Sequence, residues 1–88
     1  MKRYIVNFKK VKTREEMYDV LRKKLPLPDY CGKNLDALHD VFSEAGYTLE
    51  VRCFAELREH LGEYAESFRE MLVATDEEST RFRAVIKE

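Results

Sequence analysis

Hydrophobic and polar residues alternate along the chain with two different periods. Over residues 2–8, KRYIVNF, Tyr4, Val6 and Phe8 alternate with Arg3, Ile5 and Asn7. Period two predicts a strand. The spacing then lengthens. Thr13-Arg-Glu-Glu16 has the form of a capping box, in which Thr13 and Glu16 each satisfy a free N–H at a helix start. Met17, Val20 and Leu21 make the buried stripe of that helix, and Arg22, Lys23 and Lys24 lie near its C-terminus, where cations are favourable. A second helix opens at Asn34, with Leu35, Leu38, Val41 and Phe42 on one side, and ends at Ala45-Gly46. Residues 47–53 return to period two, setting Leu49, Val51 and Cys53 against Glu50 and Arg52. A short helix with Phe54, Leu57 and Leu61 on one side stops at Gly62. A longer one, from Glu63 to about Ala74, carries the stripe Tyr64, Phe68, Met71, Leu72 and Thr75. After a turn at 76–79, residues 80–87 read as a last strand, with Phe82, Ala84 and Ile86 facing one way and Arg81, Arg83 and Lys87 the other.

The predicted order is strand, helix, helix, strand, helix, helix, strand. Connections of this length favour parallel pairing through right-handed crossovers. A parallel sheet covered on both faces would read as continuous apolar runs, and these strands alternate. The expectation is therefore a two-layer α/β fold over residues 1–88 as a single domain. It has a three-stranded parallel sheet with about four helices packed on one face. Arg3, Arg52, Arg81 and Arg83 are expected on the open face.

The stretch LPLPDYCGKNLDALHDVFSE, residues 25–44, stands apart from this pattern. Pro26 and Pro28 push Leu25 and Leu27 out of helical angles, so the chain enters Tyr30, Cys31 and Gly32 as a stiff loop. Gly32 is free to take the positive φ a turn can require. Asn34 suits an N-cap. On the helix that follows, Asp36 and Asp40 stand one turn apart opposite the apolar side, with His39 at the edge. A short helix presenting two carboxylates from a braced loop suits a positively charged partner.

Charge sharpens this reading. The 88 residues carry a formal net charge of −1, but unevenly. Residues 1–24 hold nine Lys and Arg against three acids, residues 25–46 one against four, and residues 63–78 one against six. Such poles steer charged partners. No apolar run approaches the roughly 20 residues of a membrane helix, and the N-terminus lacks the apolar core of a signal peptide. Cys31 and Cys53 fit no metal or redox spacing, which points to a reduced, cytoplasmic setting.

The run LPLPDYCGKNLDALHD resembles the signature region of the barstar family of intracellular ribonuclease inhibitors. The resemblance rests on the Leu-Pro-acid-Tyr loop, the Gly-x-Asn-Leu-Asp-Ala-Leu run and the second aspartate four residues after the first. It continues more weakly through 47–54 and Ala65-Glu66-Ser67. It implies a barstar-like fold and a protein that is not an enzyme. It also implies a contact surface of Tyr30, Cys31, Gly32, Asn34, Leu35, Asp36, His39 and Asp40 that plugs the active site of a basic, barnase-like ribonuclease. Asp40 matches the aspartate that occupies a substrate phosphate position, Asp36 a second acidic contact, and Tyr30 an aromatic that packs on the enzyme. The family prototype has aromatic residues where Cys31 and His39 stand. Its long-helix glutamate falls at Ala74. A monomer when free, needing no cofactor, no metal and no membrane, is the expectation.

Other chemistries can be drawn on the same residues. The basic N-terminal segment and the Arg-lined sheet face could bind nucleic acid, although that face lacks the interleaved aromatics single-strand binders stack on. Asp36, His39 and Asp40 could ligate a metal at helical spacing. Cys31, His39 and Asp40 could be set out as a nucleophilic triad, with no orienting group in view.

Overall fold

The computed structural model describes residues 2–88. Three strands, β1 (Lys2–Asn7), β2 (Tyr47–Arg52) and β3 (Arg83–Ile86), alternate with four helices. These are α1 (Arg14–Lys24), α2 (Leu35–Ser43), α3 (Phe54–Leu61) and α4 (Glu63–Glu78). The sheet runs β1-β2-β3, parallel throughout. The register places Ile5 opposite Glu50 and Glu50 opposite Val85.

One face of the sheet is covered. Val6, Phe8, Leu49, Val51 and Phe82 are fully buried there, against Met17, Leu21, Leu38, Phe42, Phe54, Leu57, Phe68 and Leu72 from the four helices. Aromatic rings bind the layers together. Phe42 of α2 stacks on Phe82 at 5.1 Å, and Phe8 meets Phe68 edge-on at 5.9 Å. Pairs of this kind add to their burial. On the other face Arg3, Ile5, Asn7, Arg52 and Arg83 are exposed. The alternating strands and the two-layer architecture thus agree.

Several boundaries differ from expectation. The helix α4 runs to Glu78, one turn past Ala74, because the Asp76 carboxylate accepts the Ala84 N–H at 2.7 Å and ties that last turn to β3. Cys53 does not continue β2 inward with Leu49 and Val51. It adopts φ 61°, the only positive-φ non-glycine among the described residues, and turns the chain into α3. Gly62, at φ 55°, ends α3 and begins α4; only glycine takes such a conformation without a Cβ penalty. In α1, Tyr18 is buried beside Met17 and Leu21, while Val20 is half-buried.

Candidate functional site

The loop between α1 and α2 is built from short-range turns. The Leu25 N–H closes α1 onto the Leu21 carbonyl at 2.8 Å. The Leu27 N–H then bonds the Leu25 carbonyl at 2.8 Å, and the Cys31 N–H bonds the Pro28 carbonyl at 3.0 Å. Pro28-Asp29-Tyr30-Cys31 is thus a β-turn, with Tyr30 near its tip and 87% exposed. The turn is braced from α1 by Arg22, whose Nη2 donates to the Cys31 carbonyl at 2.7 Å. The loop delivers Asn34 as the N-cap of α2. Its side-chain oxygen accepts the Ala37 N–H at 2.7 Å, which satisfies one of the helix's orphan donors.

Leu38 and Phe42 are fully buried and anchor α2, so Asp36 and Asp40 point outward and are exposed. Among the described residues, Asp29, Asp36, Asp40 and Glu44 take part in no side-chain hydrogen bond or ion pair. Two clefts flank Tyr30. One, of about 460 Å³, is lined by Tyr30, Cys31, Asp40, Val41 and Glu44 among others. A smaller one, of about 210 Å³, lies between Pro26, Pro28, Tyr30, Val41, Glu44 and Tyr47. At the other end of α2, Asn34, Leu35 and Asp36 border a groove of about 480 Å³ with Arg14, Lys33, Tyr18 and Tyr64. There the Arg14 guanidinium lies 4.0 Å over the Tyr64 ring, and the Tyr18 and Tyr64 hydroxyls bond to each other.

The eight residues singled out from the sequence lie on the loop and on α2, and they border different clefts. Tyr30 and Asp40 share a cleft. Cys31 also reaches it, yet its side chain is buried in the core, with Sγ directed at the Gly32 carbonyl at 3.6 Å. Asn34, Leu35 and Asp36 sit on the opposite groove, Leu35 half-buried. Gly32 is not at positive φ. A Cβ there would come 2.9 Å from Nδ2 of the Asn34 side chain, the side chain that caps α2. His39 faces α4, with Nε2 3.5 Å from the Glu78 carboxylate. Among the described residues no group of three or more His, Cys, Asp or Glu is arranged to hold a metal.

Sequence reasoning missed three features. Glu44, at the C-cap of α2, lines both clefts beside Tyr30. Tyr47 is only 9% exposed, and its hydroxyl is buried without a hydrogen-bond partner. Burial, with Tyr4 and Cys31 nearby, pushes its pKa up to about 12. The third is Glu50, on the open sheet face yet only 2% exposed. Arg3 Nε donates to its carboxylate at 3.0 Å, Arg52 bonds the other oxygen, and Lys87 Nζ stands 3.7 Å away. Hydrogen bonds from Arg3 first and Arg52 second hold its pKa down to about 2. The register sets this acid between Ile5 and Val85, and the only sequence signal for it was an acid in a strand whose expected open face carries arginines.

The expected Arg-lined face is accordingly not a row of free cations. Arg3 and Arg52 converge on Glu50. Arg83 bends back to donate to the carbonyls of Ser79 at 3.0 Å and Phe82 at 2.9 Å. Arg81 precedes β3, with its guanidinium beside Gly46.

A three-stranded parallel sheet backed by four helices, with an exposed tyrosine and unpaired carboxylates around the second helix, defines a small α/β protein of barstar-like form. The sequence agrees. The family described as "Barstar (barnase inhibitor)" matches residues 1–87. A Bacillus subtilis (strain 168) protein described as "Putative ribonuclease inhibitor YrdF" is 32% identical over 91 residues, covering 99% of this chain and 100% of that protein. The chain belongs to the barstar family. No helix among the described residues is long and apolar enough to cross a membrane.

Proposed function

We propose that this protein inhibits a basic, barnase-like ribonuclease by laying the Tyr30 loop and the outer face of α2 over its active site, and that it catalyses no reaction itself. The observation that carries the reading is Asp40, exposed, without an internal partner, and in one cleft with the outstanding Tyr30 ring. An enzyme that cleaves RNA holds cationic donors where the phosphate sits. A carboxylate set at that point takes the same donors through short, charge-assisted bonds. The acidic surface around it also speeds encounter with a basic enzyme, more strongly at low salt. Asp36, one turn away, is a second contact. Tyr30 supplies apolar area at small entropic cost, its turn already closed by the Cys31–Pro28 hydrogen bond and the Arg22 brace. Cys31 and Gly32 shape the turn from below, and Asn34 and Leu35 fix the start of the helix.

The test is inhibition of barnase, and of basic ribonucleases from the source cell, by wild type and by Asp36→Ala/Asp40→Ala. Wild type inhibits at least one of them, and the double variant loses inhibition while keeping its fold. Equal inhibition by both proteins, or none by wild type, overturns the reading.

A further inference from the structure

The open face of the sheet carries a charged array that the inhibitory reading does not use. The register sets Arg3 and Arg83 on either side of Thr48 at one end, and Asn7 beside Arg52 at the other. Glu50 stands midway, and Lys87 follows β3 with Nζ 3.7 Å from that carboxylate. Four cations and one acid make this face strongly positive in a chain whose formal net charge is −1. Arg3, Arg52 and Lys87 are each half-exposed, while Glu50 is buried. Glu50 does not use up their donors. Arg52 reaches it through Nε, and Arg3 through Nε and Nη2. Both Nη groups of Arg52, Nη1 of Arg3 and the Lys87 ammonium make no hydrogen bond among the described residues. A buried carboxylate that grips its cations fixes where they stand, so less side-chain freedom is lost when a ligand arrives.

We propose that this face binds the phosphodiester backbone of a single-stranded nucleic acid, on the side of the sheet away from α2. Guanidinium forks match phosphate oxygens, and the donors left over by Glu50 supply them. The middle of the face is a charge cluster, whereas the core of a protein interface is depleted of charge, so a polyanion fits better than an acidic protein. The strand tyrosines Tyr4 and Tyr47 lie against each other on the covered face, which leaves bases no ring to stack on. Contacts therefore fall on phosphates, which position a strand without reading its sequence. Arg83, tied to carbonyls at one edge, adds its charge. The site stands apart from the ribonuclease reading, and its place opposite the helix layer leaves α2 free for a second partner.

The experiment is fluorescence anisotropy of a labelled oligouridylate and, separately, a labelled oligothymidylate, titrated with the full chain over a salt series. An oligoglutamate peptide of equal charge serves as competitor. Saturable binding of both oligonucleotides is expected, with affinities within a few-fold of each other. Log Kd rises with log salt at a slope of about 2, for three phosphates neutralised. Lys87→Ala lowers that slope by about 0.7. Arg3→Ala/Glu50→Gln/Arg52→Ala removes the acid together with its arginines, so that no charge is left buried alone, and weakens binding more than tenfold. Should the triple variant fail to fold, the slope in Lys87→Ala decides. No saturable binding at low salt, an unchanged slope in Lys87→Ala, or wild-type affinity in the folded triple variant overturns the proposal. So does a preference above tenfold for one oligonucleotide, which would need a base or sugar contact. Displacement by oligoglutamate at equal concentration gives the face to an acidic protein instead. A flat titration beside intact inhibition removes this site and leaves the ribonuclease reading standing, and oligonucleotide binding by a protein that inhibits no ribonuclease does the reverse.

Discussion

Arg22 and Cys31 tie the Tyr30 loop to the body of the protein: the arginine at the end of α1 donates to the cysteine's carbonyl at 2.7 Å. The contact links nine residues of chain across two prolines, so it fixes where the Tyr30 turn stands relative to α2. A hydrogen bond from a charged donor is worth about 1.5–3 kcal/mol when partly buried. Arg22→Ala is expected to cost about 1–2 kcal/mol in urea denaturation, and to speed amide exchange at Cys31 and Gly32. Unchanged exchange there would mean that the turn holds without its brace.

Tyr47 gives an effect of opposite sign. Its hydroxyl is buried with no partner, and an unsatisfied buried polar group costs about 1–3 kcal/mol. Tyr47→Phe keeps the edge-on contacts with Tyr4, Phe42 and Phe82. It is expected to stabilise the isolated protein by about 1 kcal/mol in chemical denaturation. A destabilised variant would show that the hydroxyl is satisfied after all.

The Glu50 cluster sets a pH dependence. Its pKa is held at about 2, against an ordinary value of 4.5. A carboxyl more acidic in the folded than in the unfolded state contributes stability that is complete above the unfolded value. That stability is lost as the pH falls from there through about 2. Wild type is therefore expected to lose denaturation midpoint steadily below about pH 4.5. In Glu50→Gln, Arg3, Arg52 and Lys87 repel one another at every pH, so the variant is less stable at neutrality. The gap between the two proteins then narrows on acidification. A constant gap from pH 7 to pH 2 would contradict the cluster's role.

The core beneath α2 predicts the largest loss of stability. Phe42 is fully buried and stacked on Phe82, so Phe42→Ala is expected to cost about 3–5 kcal/mol by thermal or urea unfolding. A loss of less than about 1 kcal/mol would mean that α2 is not seated as described.

Much of this was legible in the sequence because it is written in period and caps. The order of all seven elements, the capping roles of Thr13 and Asn34, and the stop at Gly62 follow from residue type alone. What escaped depends on contacts distant in sequence. The last turn of α4 is held by Asp76 reaching the Ala84 N–H, which no local propensity reveals. Cys53 reads as the next inward residue of a strand, but the chain must turn there into α3, and it does so through a left-handed cysteine. The arginines alternate as a solvent face should, yet two of them are drawn onto a buried acid and a third onto helix-end carbonyls. Around α2, Asp36 and Asp40 were readable as outward because Leu38 and Phe42 define the inward side. The burial of Cys31, the turn of His39 toward Glu78 and the place of Glu44 between two clefts depend on how the loop and α4 close around the helix.

The central claim is that the Asp40 carboxylate serves a partner's active site and not this protein's own fold. It is tested most directly by one paired measurement on Asp40→Ala: the inhibition constant against the ribonuclease that wild type inhibits, and the free energy of unfolding. Phosphate mimicry predicts inhibition weakened by more than about tenfold, the loss of at least one charge-assisted hydrogen bond, with stability changed by less than about 0.5 kcal/mol. An inhibition constant equal to that of wild type, or a fall in stability large enough to explain the weakened inhibition, would contradict it.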